Sequence, residues 1–298
     1  MPELPEVETV VSDLNKKVVG KKIVGIWSDW TKMLKNISFE ELKNKVVGKK
    51  IHKVARRGKN ILIEIEGEKT ISIHLKMTGH LLWRLQKYFQ LLPAEVVKED
   101  QKKPFKEKVN QYVHFRFLFE RGRELAFSDL RKFGRIKFYD KNIIETLKDP
   151  EYAKLGLEPT ENEFNFFSLK ELTKKSKNAN KEVKIFLLNQ ENISGIGNIY
   201  ASEILFEAGI NPQKKVSSLT EKELKKIIEK TKKILKEAIA NRGTSISDFR
   251  DTAGLRGGFG QLRKVYQRKG EKCPRCEDKI ISRKQGQRTT FYCPKCQR

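Results

Sequence analysis

The sequence has no run of about 18 apolar residues, so it offers no candidate membrane span. Its first residues lack a basic n-region and an apolar core, so a secretory signal peptide is not expected and a cytoplasmic location is. No cysteine occurs before Cys273, and no internal repeat is visible. Acidic residues are scarce beside basic ones: 38 Asp and Glu against 63 Lys and Arg, a formal net charge of +25. An excess of this size implies a polyanionic partner, nucleic acid first and an anionic membrane surface second. The lack of a long basic amphipathic helix with aromatic anchors weighs against the membrane. Against these absences stand 298 residues, 38% of them hydrophobic, enough for sizeable cores and about two domains.

After the opening MPELPEVETVVSDL, in which Val7, Val10, Val11 and Leu14 form one helical stripe, residues 1–140 read as mostly β. NILIEIEG sets Ile61, Ile63 and Ile65 on one face, and TISIHLKM continues the alternation through Ile71, Ile73, Leu75 and Met77. YVHFRFLFE does the same with Val113, Phe115, Phe117 and Phe119, and RIKFYD is a further short strand. The charged, proline-punctuated stretch 93–110 reads as a long surface loop. Residues 151–180 are transitional. Beyond them KEVKIFLLNQ, NIYASEILFEAG and LTEKELKKIIEKTKKILKEAIA read as three helices, and 241–262, rich in Gly, Ser and Arg, as a mobile loop. The resulting expectation is an α+β chain: an N-terminal β-sandwich with a flanking helix over 1–140, a helical domain over 151–262, and a C-terminal hairpin over 263–298.

All four cysteines lie in that hairpin, as Cys273-Pro-Arg-Cys276 and Cys293-Pro-Lys-Cys296. Two C-x2-C knuckles fit one structural Zn2+ held by four thiolates. Two disulfides are the alternative, and they fit a cytoplasmic chain poorly. Arg283, Lys284 and Arg288 on the same hairpin would present cations to phosphates.

The amino terminus carries a second signal. Pro5, Glu6 and Glu8 suit the first turn of a helix, but Pro2 and Glu3 precede it. Removal of Met1 would leave Pro2 with a free secondary amine. An α-amino group titrates near 8, about two units below lysine, so a useful fraction is neutral and nucleophilic at physiological pH. Glu3 beside it can act as a general acid. A plain helix lead-in is the other reading of Pro2-Glu3.

MPELPEVET, the four-cysteine hairpin and several internal motifs together resemble the bacterial formamidopyrimidine-DNA glycosylases, in order and nearly end to end. The resemblance implies a bifunctional DNA glycosylase and AP lyase of base excision repair, acting as a monomer on damaged double-stranded DNA in the bacterial nucleoid. It would excise oxidised purines such as 8-oxoguanine and formamidopyrimidines and cut the strand by β,δ-elimination. Pro2 would be the Schiff-base nucleophile, Glu3 the proton donor, and Glu6 a second acidic position of the DNA-contacting site. ARRGKNILIE resembles the family segment that places Lys59 on phosphate and in β-elimination. HLKMTGHL makes Met77 a wedge in the gap left by the flipped nucleotide. FSDLRKFG turns Arg131 toward the orphaned base and Phe133 between bases. LLNQENISGIGNIYASEILFEAGINP resembles the helix–two-turn–helix, with Asn198 on phosphate. TSISDFRDTAGLRGGFG resembles the loop that closes over the extruded base, and QRTTFYC gives Arg288 to phosphate binding and δ-elimination.

The sequence departs from the family pattern in places. Residues 84–110 include an insertion, Asn110 stands where a DNA-contacting histidine is common, Leu130 replaces Pro or Val, and Leu157 replaces a proline. Lys177 and Lys181 both compete for the role of a phosphate-binding lysine. Two other functions stay open at this point: an endonuclease VIII-like glycosylase for oxidised pyrimidines, and a non-catalytic zinc-ribbon DNA-binding protein.

Overall fold

In the computed structural model, which describes residues 1–86 and 103–298, the opening segment forms helix α1, Leu4–Lys17. Pro5 sits in the first turn, where a missing N–H costs little, and Lys16 and Lys17 sit in the last, where cations suit the dipole. Val7, Val10, Val11 and Leu14 are all buried, as their spacing requires. A second helix, α2, spans Phe39–Val46. The strand-centred sequence reading missed it, although Ser38 and Glu41 form a capping box at its start.

Eight strands build two four-stranded antiparallel sheets. One has the order β1-β6-β7-β5, with β1 at Ile23–Ser28, β5 at His80–Leu85, β6 at Val113–Phe119 and β7 at Arg123–Ser128. The other runs β2-β3-β4-β8, with β2 at Ile51–Arg57, β3 at Asn60–Ile65, β4 at Lys69–His74 and β8 at Arg135–Tyr139. Ile61, Ile63 and Ile65 from one sheet and Phe115, Phe117 and Phe119 from the other share a single core with the apolar stripe of α1. This is the expected sandwich. Each such side chain contributes about 1.5–3 kcal/mol through burial.

The strand expected to run on to Met77 stops earlier. β4 ends at His74, Leu75 is buried, and Lys76 takes a left-handed φ of 55° that turns the chain away. Met77 therefore leaves the core face and is half-buried. Of the loop expected at 93–110, residues up to 102 lie outside the described residues, as does much of the 84–110 insertion. The described end is helical, with short turns at Lys103–Lys106 and Lys108–Gln111.

The chain divides into two compact units: Met1–Ala153 with Asn241–Gly258, and Lys154–Ala240 with Phe259–Arg298. The 241–258 segment thus packs with the sandwich rather than with the helices that precede it in sequence. The second unit holds helices Phe166–Lys174, Val183–Leu188, Asn198–Ala208 and Glu221–Ala240, and a hairpin of β9, Ile281–Gln285, and β10, Arg288–Tyr292. The first of these helices falls in the stretch read as transitional. The last starts at a Thr220–Glu223 cap and buries Leu224, Ile227, Ile234 and Leu235.

Phe127, on β7, links the core to the functional turns. A Cβ added at Gly79 or at Gly134 would collide with its ring, so both turns lie flat against it. Phe127→Ala is expected to destabilise the protein by about 3–5 kcal/mol, measured by urea unfolding.

Candidate active site

The first unit gathers three of the sequence-predicted catalytic residues, Pro2, Glu3 and Lys59, near its own amino terminus, whereas Arg288 belongs to the second unit. Pro2, Glu3 and Glu6 are buried, and Lys59 is only 7% exposed, following Gly58 in the turn between β2 and β3. Glu6 organises this cluster. One carboxylate oxygen accepts the Glu3 N–H at 2.7 Å, and the other accepts the Thr244 N–H at 2.6 Å. Gly243, at φ +75°, lies so close that a Cβ would come within 2.6 Å of the same carboxylate. Only glycine satisfies both the backbone conformation and the space.

The terminal amine, carried here by Met1, titrates below its usual value. Burial is the largest cause; Lys59 lowers it further, while Glu3, Glu6 and Asp248 oppose. All four side chains thus act on one nitrogen. Asp248 was not singled out in the sequence, and its distance in the chain from Pro2 hides the relation. Removal of Met1 passes the amine to Pro2, deeper in the same place.

A cationic wall flanks the cluster. Lys59, Lys76 and Arg135 all act on His74, whose pKa falls to about 3, with burial as the largest cause. His74 is therefore neutral near pH 7, and its Nδ1 accepts the Lys76 N–H at 3.0 Å. Burial and Arg135 also lower the Lys76 ammonium. None of His74, Lys76 and Arg135 was identified from sequence, although His74 and Lys76 fall within HLKMTGHL.

The turns that carry Met77 and Arg131–Phe133 are joined. Thr78 Oγ1 donates to Asp129 Oδ1 and accepts the Arg131 N–H at 3.1 Å, while Asp129 Oδ2 accepts the Gly134 N–H at 2.7 Å. Met77 and the Arg131–Phe133 turn are thus held by one buried carboxylate. Phe133 is 49% exposed, and the Arg131 guanidinium lies 4.5 Å from its ring centroid. An exposed aromatic ring capped by a cation suits stacking against a base.

Asn110 does not belong to this surface. It is wholly buried; its Oδ1 bonds His80 Nε2 at 2.8 Å and its Nδ2 donates to Pro104 O at 2.6 Å. In this position it offers DNA nothing, and it acts as an internal tie. Burial lowers the His80 pKa to about 4, so that ring is neutral too.

In the second unit, Gln190 shapes the two turns between helices, accepting the Gly195 N–H at 3.0 Å and donating to Ile196 O at 2.8 Å. Asn198 opens the next helix. Its Nδ2 donates to Thr289 O at 2.9 Å, and its Oδ1 is buried with no hydrogen-bond partner among the described residues. The buried Lys184 donates to Thr290 Oγ1 at 2.8 Å and fixes the hairpin from below, leaving Arg288 exposed on β10. Of the two lysine candidates, Lys177 is exposed and paired with Glu191, and Lys181 is half-buried, its carbonyl accepting the Val216 N–H.

Cys273, Cys276, Cys293 and Cys296 bring their sulfurs within 4.8 Å of one another. The Cys273–Cys296 and Cys276–Cys293 separations of 3.8 and 3.5 Å exceed a disulfide by far. They fit the edges of a tetrahedron around one zinc ion, for which Zn–S bonds are about 2.3 Å. Four protein ligands close the site, so the ion would supply structure and no chemistry. Stripping zinc with a chelator is expected to release one ion per chain and to lower DNA affinity, measured by metal assay and by fluorescence anisotropy on a DNA duplex.

Three family models match the chain in order. They are the formamidopyrimidine-DNA glycosylase N-terminal domain over 1–136, the H2TH domain of the same enzymes over 155–250, and a zinc finger found in FPG and IleRS over 270–298. A formamidopyrimidine-DNA glycosylase of Carboxydothermus hydrogenoformans is 40% identical over the full length of both chains. The fold superposes on Lactococcus lactis Fpg in complex with abasic-site DNA at a TM-score of 0.83, with 32% identity and 99% of each chain covered. A MutM structure in complex with carbocyclic 8-oxo-G containing DNA gives the same score and identity over 100% of both chains. The chain belongs to the formamidopyrimidine-DNA glycosylase family.

Proposed function

We propose that this protein removes oxidised purines from double-stranded DNA and cleaves the strand at the resulting site, acting as a monomer. The observation that carries the catalytic assignment is the buried Pro2 set among Glu3, Glu6 and Lys59, with the terminal amine next to it pushed toward the neutral, nucleophilic form. The similar solved chains hold abasic-site DNA and 8-oxo-G containing DNA, which supports this substrate class.

Stacked duplex shields the target C1′, so the nucleotide must leave the helix before reaction. Met77 and Phe133 fill the gap it leaves, and Arg131 faces the orphaned base. The Pro2 nitrogen attacks C1′, and the bond from C1′ to the base breaks with its electron pair leaving on the base. Glu3 takes the proton that the Pro2 nitrogen loses and passes it to the sugar ring oxygen, so the ring opens and a C1′ iminium forms on Pro2, while the departing base takes a proton from water. Proline is a secondary amine, so this iminium keeps its charge and draws electrons through two eliminations. Loss of a proton from C2′ expels the 3′ phosphate, and a second proton loss expels the 5′ phosphate. Lys59 and Arg288 hold these phosphates and stabilise the charge that develops on them. Water then releases the sugar fragment from Pro2.

Exposed lysines and arginines supply the sequence-independent part of binding, within a formal charge of +25. Among the described residues no helix is long and apolar enough to cross a membrane.

Borohydride reduction during turnover of 8-oxoguanine duplex is expected to trap one covalent adduct, mapped to Pro2 by peptide mass spectrometry. An adduct on a lysine instead would overturn the Pro2 assignment. Trapping only on an oxidised-pyrimidine duplex would move the protein to the endonuclease VIII-like reading, and no adduct with either would favour a binding module. Glu3→Gln is expected to lower single-turnover base excision by roughly 100-fold or more, read by gel assay, with duplex affinity retained.

A further inference from the structure

Residues 244–260 carry the segment that resembles a lesion-closing loop, and the part within the first unit is fastened by one unusual side chain. Arg250 is 1% exposed and heads the largest fully buried side chains. A buried guanidinium is costly unless its donors are matched. Here they are matched from two directions. Nη1 donates to Ser247 O at 2.9 Å and Phe249 O at 2.7 Å, closing a turn of its own loop. Nε and Nη2 donate to Glu107 Oε2 at 3.0 and 2.6 Å.

Glu107 stands near the end of the 84–110 stretch, on a piece of chain held to the same loop a second time. Asn110 Nδ2 reaches Gly254 O at 3.4 Å while holding Pro104 O. Gly254 has φ +77°, and a Cβ there would meet Asn110 at 3.0 Å and Phe105 at 3.3 Å. On its other flank the loop is tied to the sandwich. The Trp83 N–H donates to Thr252 O at 2.8 Å, and Asp13 accepts from Thr252 Oγ1 at 2.7 Å and Arg242 Nη2 at 2.6 Å.

We propose that Glu107 and Arg250 are positioning residues for base excision: the ion pair between the buried Arg250 and the half-exposed Glu107 holds the 245–254 turn in the register that presents it to the extruded base. The proposal rests on the functional reading above, because it takes this loop to face the extruded base. A loop that grips the base matters while a base is present. On a preformed abasic site it has nothing to grip, and the elimination chemistry proceeds from Pro2, Lys59 and Arg288.

The test compares Glu107→Gln and Arg250→Met with the parent chain on two duplexes, one with 8-oxoguanine and one with a preformed abasic site, alongside hydrogen–deuterium exchange over 244–258. Arg250→Met removes the charge together with its pair, so no buried cation is stranded if Glu107→Gln proves unstable. Both variants are expected to slow 8-oxoguanine excision roughly tenfold or more, the scale of a misplaced contact remote from the chemistry. Abasic-site cleavage should stay within about twofold of the parent. The Ala253 and Leu255 amides, which donate to Asp251 Oδ1, should exchange faster. Unchanged excision, or an equal fall on both duplexes, would overturn the proposal. A parent chain that cleaves neither duplex would instead sink the functional reading, and the exchange comparison would still decide whether the pair holds the loop.

Discussion

The carboxylate of Glu6 is the constraint on which the amino-terminal site depends. It accepts backbone N–H groups from Glu3 and Thr244, which lie at opposite ends of the first unit's sequence. A charged acceptor shared by two main-chain donors fixes both segments more tightly than packing alone, because such bonds are short and directional. Gly243 must be bare for the carboxylate to fit, and Glu3 is fixed beside Pro2 by the same bond. Glu6 thus ties the Glu3 and Thr244 main chains to one carboxylate, and neither can shift without breaking a buried charge-assisted hydrogen bond.

The same device recurs. Asp129 holds the turns at Thr78 and Gly134, Asp251 caps the loop through Ala253 and Leu255, and Glu203 accepts the backbone N–H groups of Lys264, Val265 and Tyr266. Each of these carboxylates is almost fully buried. A chain short of acidic residues thus uses several of them internally as backbone clamps, while Arg131, Lys132, Arg135 and Arg288 remain on the outside.

Much of this was legible in the sequence. The stripe of α1 and the alternation in β3, β4 and β6 depend on local periodicity, and each strand lies within the segment that shows it, although β4 stops short of Met77. The four cysteines declare themselves by spacing. Three things were hidden for physical reasons. Met77 looked like the next core residue of β4, and only the left-handed backbone at Lys76 removes it from that face. Asn110 sits at a position where a DNA contact was expected, yet the tertiary contacts of His80 and Pro104 draw it inside. Asp248 and Arg250 read as ordinary loop polarity, since nothing local announces a partner more than a hundred residues away.

That separation has a temporal consequence. The first unit is discontinuous: Met1–Ala153 leaves the ribosome well before Asn241–Gly258, which completes it. At roughly 5–20 residues per second, the nascent sandwich waits several seconds or more for its closing segment. Both sheets lie wholly within the earlier piece and can pair during that interval, but Glu6, Asp13 and Glu107 have no partner from the later one. The surroundings of the amino terminus are therefore completed last, and a chain that stalls before residue 241 carries a formed sandwich whose Glu6 lacks its Thr244 contact.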